Sequence, residues 1–230
     1  MPMSPKDLSN RRAFLTRLAT GSAALAAGGV ALQLGAAEAE GASSAAELSP
    51  MSDAWLTKLT GKHKQYFDTS QINDGFALGF AMNFLNLNNQ AYNLPDSNLS
   101  AVVGLRHFAL PMAFTDDIWA RYKLGETFKI MDPATKAPAV RNFFFHPQDG
   151  DLMFPGMAID KLLARGVTFT VCNVALGVLS GKTSKNAGVT PEVAKAQWTA
   201  GVIPGMVLVP AGVLAVNRAQ EKGCTYCFGG

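Results

Sequence analysis

The sequence predicts a single α/β domain built on a mostly parallel central sheet with helices on both faces. Three observations carry this reading. The stretch Gly166-Val167-Thr168-Phe169-Thr170-Val171-Cys172-Asn173-Val174-Ala175-Leu176 holds an unbroken β-branched and aromatic run that stops at a lone thiol, as expected of a strand buried on both faces. Strand-like and helix-like segments alternate through the second half, which implies right-handed βαβ units. The length of 230 residues suits one domain with a sizeable core.

Residues 1–39 stand apart from the fold. Ser9-Asn10-Arg11-Arg12-Ala13-Phe14-Leu15-Thr16-Arg17 resembles a twin-arginine (Tat) export signal, and the uncharged, Ala- and Gly-rich residues 18–37 follow it. Ala37-Glu38-Ala39 offers a cleavage site, with Gly35-Ala36-Ala37 as a second choice. The alternative is a retained membrane anchor, because the run approaches the roughly 20 residues that span a bilayer. Residues 40–52, rich in Ala and Ser, read as a flexible leader to a domain over 53–230. The Tat resemblance implies export of an already folded protein to a periplasm, where exposed thiols meet an oxidising environment.

Within the domain, residues 64–72 read as a first strand. Asn73-Asp74-Gly75 predicts a turn and N-cap before a helix over 76–90, on which Leu78, Met82, Leu85 and Asn89 share a face. Leu94-Pro95-Asp96-Ser97 ends it. Residues 99–105 form a second strand running into Arg106-His107, and a helix follows from Thr115 or Asp116 to Lys123. Asp116 and Asp117 lie in its first turn, where the dipole favours them.

Residues 124–155 read as an irregular excursion that covers the sheet edge or meets another subunit. Phe143, Phe144 and Phe145 cannot all face one core from a strand, so some pack sideways or against a partner. A helix over 157–165 closes at Gly166. After the central strand, residues 177–188 are polar and Gly-containing, and Thr190-Pro191-Glu192 opens another helix with Pro in its first turn. Residues 206–209 are a short buried strand, Pro210-Ala211-Gly212 turns into a helix over 213–222, and Gly223 caps it. Residues 224–228 make a terminal strand.

Leu163-Ala164-Arg165-Gly166-Val167-Thr168-Phe169-Thr170-Val171-Cys172-Asn173, Val209-Pro210-Ala211-Gly212-Val213 and Arg218-Ala219-Gln220-Glu221-Lys222-Gly223-Cys224-Thr225-Tyr226 together resemble the DsrE/DsrF-like sulfur-relay family in order and spacing. The resemblance covers about the last third of the chain, with a looser fit at Asn73-Asp74-Gly75 and at 102–106. It implies a layered α/β fold, assembly into homo-oligomers, and a protein sulfur donor or acceptor. In sulfur-transferring members a Cys just after this strand carries a persulfide, and Cys172 matches that position. Other relatives keep the fold without demonstrated chemistry. The export signal, the excursion and a second Cys pair set this chain apart from the cytoplasmic members that serve tRNA thiolation or sulfur oxidation.

Cys172 is accordingly the candidate catalytic thiol, and a buried core Cys is the competing reading. Arg106 and His107 end a second strand, so they can meet Cys172 and Asn173 at one sheet edge and bind a thiolate or anionic sulfur species. Alternatively, Arg106 pairs with Asp116 or Asp117. Cys224-Thr225-Tyr226-Cys227 is a C-x-x-C without a following His, so c-type haem is not implied. Its cysteines form a disulfide only if the chain turns there, because strand residues three apart point to opposite faces.

His63, His107 and His146 are scattered, so no metal site is expected, and no Gly-rich phosphate loop or G-x-S-x-G elbow suggests a cofactor or hydrolase chemistry. The formal charge is +3, and residues 1–39 hold four basic residues (Lys6, Arg11, Arg12, Arg17) against Asp7 and Glu38, which leaves the rest near +1. With no basic stripe interleaved with aromatics, nucleic-acid binding is excluded. Two functions remain: a periplasmic persulfide carrier acting through Cys172, or a non-catalytic binding or assembly subunit of a periplasmic or membrane-associated complex. Small-molecule binding at the sheet edge is a third option.

Overall fold

Five strands form one parallel sheet in the order β4-β3-β2-β1-β5. They are β1 (His63–Thr69), β2 (Leu99–Leu105), β3 (Thr168–Cys172), β4 (Val207–Val209) and β5 (Thr225–Phe228). Around them lie α1 (Phe76–Tyr92), α2 (Asp116–Arg121), α3 (Leu124–Phe128), α4 (Ile159–Ala164), α5 (Asn173–Thr183), α6 (Pro191–Ala200) and α7 (Gly212–Glu221). The computed structural model describes residues 53–230; the export signal and leader of the sequence reading lie outside them.

Strand order decides where the helices go. From β1 through β4 the chain moves in one direction across the sheet, and right-handed crossovers then put every connection on the same face. The chain returns from β4 past β3, β2 and β1 to reach β5, so α7 crosses the opposite face. The two cores reflect this division. Phe67, Val103, Leu105, Phe169 and Val171 pack under Leu78, Leu85, Leu162, Leu176 and Trp198 on the first face. Tyr66, Val102 and Val209 pack against Ala215 and Ala219 of α7, with Trp55 and Leu59 from the first residues of the domain. The alternation of Tyr66 and Phe67, or of Val102 and Val103, follows from the two-residue period of a strand. All seven residues of β2 are buried, as the apolar run from Leu99 predicts for a central parallel strand.

Several local expectations are corrected. Asn73 and Asp74 do not cap α1 with their side chains. Instead Asn73, Asp74 and Gly75 all take positive φ (42°, 50° and 76°), a left-handed turn that redirects the chain into the helix. The strand ends at Cys172, and α5 begins at once and runs on to Thr183, through residues whose polar, Gly-containing composition gives no sign of a helix. Gly177 and Gly181 weaken helix propensity there, but Ala175, Leu176 and Leu179 bury a helical face against the larger core. The helix expected over 157–165 is shorter, Ile159–Ala164, behind a 3-10 turn at Pro155–Met157. Strand β4 lies at the sheet edge, and only Val209 of its three residues is buried.

In the excursion, Phe143 and Phe144 turn into the core while Phe145 lies against the His146 ring at 3.8 Å. Arg141 holds the segment together. It pairs with Asp151 through both terminal nitrogens (2.6 and 2.9 Å) and with Asp132 through Nε (2.7 Å). Asp132 in turn accepts the Ala134 and Thr135 amides.

Candidate functional site at the carboxyl edge

The sheet has one position where adjacent strands send their following helices to opposite faces. Strand β3 feeds α5 on the first face, and its neighbour β4 feeds α7 on the second. Such a switch point opens a crevice beyond the carboxyl ends of the strands, where open α/β folds bind ligands. Cys172 sits at this place, in register with Val209 across the β3–β4 pair. It remains extended (φ −73°, ψ 112°) and caps α5, its Sγ accepting the Ala175 amide at 3.4 Å. Such an amide at a helix start faces negative charge favourably. Cys172 is 6% exposed, beside Val174 at 47%. Asn173, 4% exposed, makes no side-chain hydrogen bond among the described residues, which leaves an unpaired amide next to the thiol.

Arg106 and His107 lie at the same edge, immediately after β2. The Arg106 guanidinium is committed to Asp68 of β1, with Nε donating to Oδ1 at 2.7 Å and Nη2 to Oδ2 at 2.8 Å. The alternative pairing with Asp116 or Asp117 is not the one formed; the Asp116 carboxylate accepts the Asn142 amide instead. Residue separation hid the true partner, since Asp68 is 38 residues upstream and only the parallel β1–β2 pairing brings it alongside. Tyr226 donates its hydroxyl to Asp68 Oδ2 at 3.0 Å, completing the acceptor. His107 is exposed with φ +47°, and its Nδ1 lies 2.6 Å from Arg106 Nη1.

Tyr66 links this cluster to β3 by a hydrogen bond with Thr170 Oγ1 at 3.1 Å. Burial pushes the Tyr66 phenol far above its ordinary range; the Thr170 bond opposes this shift, and the Asp68 charge adds to it. The edge thus carries a neutral phenol, a compensated ion pair and one thiol. Arg106 and His107 share the edge with Cys172 without a direct hydrogen bond to it.

Cys224 and Cys227 are free, as is Cys172. Cys224 packs in the core under α7, and Cys227 packs against the core on the other face. The expected option of a bridge fails because no turn intervenes: Cys224 is followed directly by β5, which keeps the two thiols on opposite sides. Burial raises both thiols above their ordinary values, with Lys64 opposing the shift at Cys224. Among the described residues, no group of three His, Cys, Asp or Glu could hold a metal ion, and no helix is long and apolar enough to cross a membrane.

A large cavity lies elsewhere along the edge, on the α1 face. It measures about 960 Å³ between the Gln71–Asp74 turn, α1, Phe108, Phe128 and the excursion. Cys172, Arg106 and His107 do not line it. The sequence reading singled out the triple Phe but not the other walls, although Phe76 and Phe80, one helical turn apart, were a visible signal. Comparison with family models, curated proteins and solved structures gives no match for this chain.

Proposed function

We propose that this protein is a periplasmic DsrE/F-like sulfur carrier whose working group is Cys172. The observation that supports the reading is the place of this thiol: at the switch point between β3 and β4, with the Ala175 amide directed at its Sγ. The Cys172 thiolate attacks the outer sulfur of a persulfide donor. A Cys172 S–S bond forms as the donor S–S bond breaks, and the departing donor thiolate keeps the electron pair. An acceptor thiolate then removes the outer sulfur in the same manner and regenerates Cys172. No oxidant or cofactor enters this balance. In this reading the Asn173 amide donates to the terminal sulfur, and the Asp68–Arg106 pair lends the edge rigidity rather than free charge. The family resemblance adds a homo-oligomer and a protein donor or acceptor to this proposal.

The experiment is exposure of the folded protein to a sulfane-sulfur donor, followed by alkylation and mass spectrometry. A mass increment of one sulfur on the Cys172 peptide, lost in Cys172→Ser, is expected. An unmodified Cys172 under conditions that label a small-molecule thiol overturns the proposal.

A second reading, a non-catalytic binding subunit, has its own support in the Phe-lined cavity beside α1. It requires no reaction at Cys172, and Cys172→Ser would leave it intact.

A further inference from the structure

The cavity on the α1 face is lined by aromatic rings to an unusual degree. Phe76, Phe80, Phe108 and Phe154 line it with 38–50% of their surface exposed, Phe128 lines it partly buried, and Phe143 and Phe144 form its floor. Met131 and Met153 stand at its rim with 51% and 69% exposure. Rings left this open are apolar surface that a soluble protein rarely keeps without an occupant. The volume of about 960 Å³ falls within the range of small-molecule sites.

The walls are fixed rather than loose. The Arg141 clip to Asp132 and Asp151 ties both ends of the excursion, and Asp151 and Pro133 themselves border the cavity. Phe108 meets Phe128 edge-on at 6.4 Å, which joins the turn after β2 to α3. Asn73, Asp74 and Lys129, three of the non-glycine residues with positive φ, also line the space. Left-handed backbone at such residues persists only where the surroundings enforce it, and it concentrates at functional sites.

Charge decides the ligand class. Lys129 and Lys182 line one wall, next to Thr127, and Asn186 braces that wall through a 3.0 Å bond to Thr127 Oγ1. Neither lysine forms an ion pair among the described residues. The Asp151 carboxylate is spent on Arg141. Asp74 is the remaining acid, and it belongs to the turn after β1 rather than to the lysine wall. An apolar body among the Phe rings with one anionic head toward Lys129 and Lys182 satisfies both parts.

We infer that this cavity binds a single-chain amphiphile, an aliphatic tail bearing a carboxylate or comparable anion. The inference rests on the binding reading and not on the chemistry of Cys172. Gly79 gives a clean block. It lines the cavity from within α1, and an added Cβ would meet only the Met157 methyl at 3.8 Å. Gly79→Leu therefore inserts a better helix former and fills the space without breaking the fold.

The probes are decanoate and uncharged decanol, titrated calorimetrically below micelle-forming concentrations against the full chain. One decanoate per chain is expected with Kd in the micromolar range. Decanol should bind more weakly by up to about fivefold, the size of a partly exposed ion pair, and Lys129→Gln/Lys182→Gln should erase that difference. Gly79→Leu should abolish binding of both while its thermal unfolding remains at or above wild type. If neither probe binds, or both bind Gly79→Leu as they bind wild type, the cavity is not the site and the binding reading falls with the inference. If both bind equally at a site that Gly79→Leu blocks, the binding reading stands and the anionic head is overturned.

Discussion

The Tyr66 hydroxyl crosses β2 to meet Thr170 Oγ1 at 3.1 Å, and it can do so only because the residue beneath it is Gly104. A Cβ at position 104 would overlap the phenol oxygen and the adjoining ring carbons. This one glycine lets a strand on either side of β2 join across it on the α7 face. The bond ties β1, which carries Asp68, to β3, which carries Cys172.

Gly104→Ala is therefore predicted to destabilise the domain by about 1–3 kcal/mol or more, because Tyr66 is fully buried and cannot swing clear. Urea unfolding followed by tryptophan fluorescence checks this. A variant as stable as wild type would mean that Tyr66 takes another rotamer at no cost.

Asp68→Asn removes the charge from the acceptor that Arg106 and Tyr226 share. Asp68 is 4% exposed at its side chain and Arg106 18%. Breaking a buried pair from one side leaves an uncompensated charge, and the partial exposure of Arg106 places the expected loss near about 3 kcal/mol, the low end for such pairs. Chemical denaturation measures it. The double variant Asp68→Asn/Arg106→Gln should recover part of the loss, since the stranded cation is then gone.

The Arg141 clip should govern acid stability. Arg141 holds Asp151 below the ordinary carboxylate range, burial opposing; at Asp132 burial pushes up, but the Thr135 and Ala134 amides and Arg141 outweigh it. Both folded values lie below the unfolded ones. Their contribution is fully present above the ordinary carboxylate range and is lost as pH falls through the depressed folded values. Unfolding free energy measured from pH 7 down to pH 2 should fall more steeply in wild type than in Asp132→Asn/Asp151→Asn. Equal slopes would remove the clip from the account of acid unfolding.

What could be read from the sequence divides along physical lines. The 99–105 strand and the central run ending at Cys172 were legible because burial on both faces keeps every charged residue out of them. The Thr190-Pro191 helix start was legible too, and Thr190 Oγ1 does accept the Val193 amide. The extent of helix α5 was not legible, because Gly177, Ser180, Gly181 and Lys182 give no helical signal when local propensity is taken alone. Its helicity comes from tertiary burial of Leu176 and Leu179. The Asp68–Arg106 pair and the cavity depend on strand order and on how the excursion folds back. The ion pair leaves no local trace, and the cavity leaves only the Phe76–Phe80 spacing and the triple Phe, because each joins residues brought together by the crossovers.

The Cys224 and Cys227 thiols should resist alkylation at neutral pH. Cys224 and Cys227 are raised above the ordinary thiol value, about 8.5 in an unperturbed chain, by burial. A raised value means less thiolate at neutral pH, so their reaction with iodoacetamide should be slow at pH 7 and should keep rising beyond pH 8.5. Cys227 is half-buried and should label before Cys224 at any pH. Peptide-level mass spectrometry of timed alkylation between pH 7 and pH 10 resolves the sites. Rapid labelling of Cys224 at pH 7 would contradict its burial under α7. A Cys224–Cys227 disulfide in the native protein would show that β5 leaves the sheet, since only then can the two sulfurs meet.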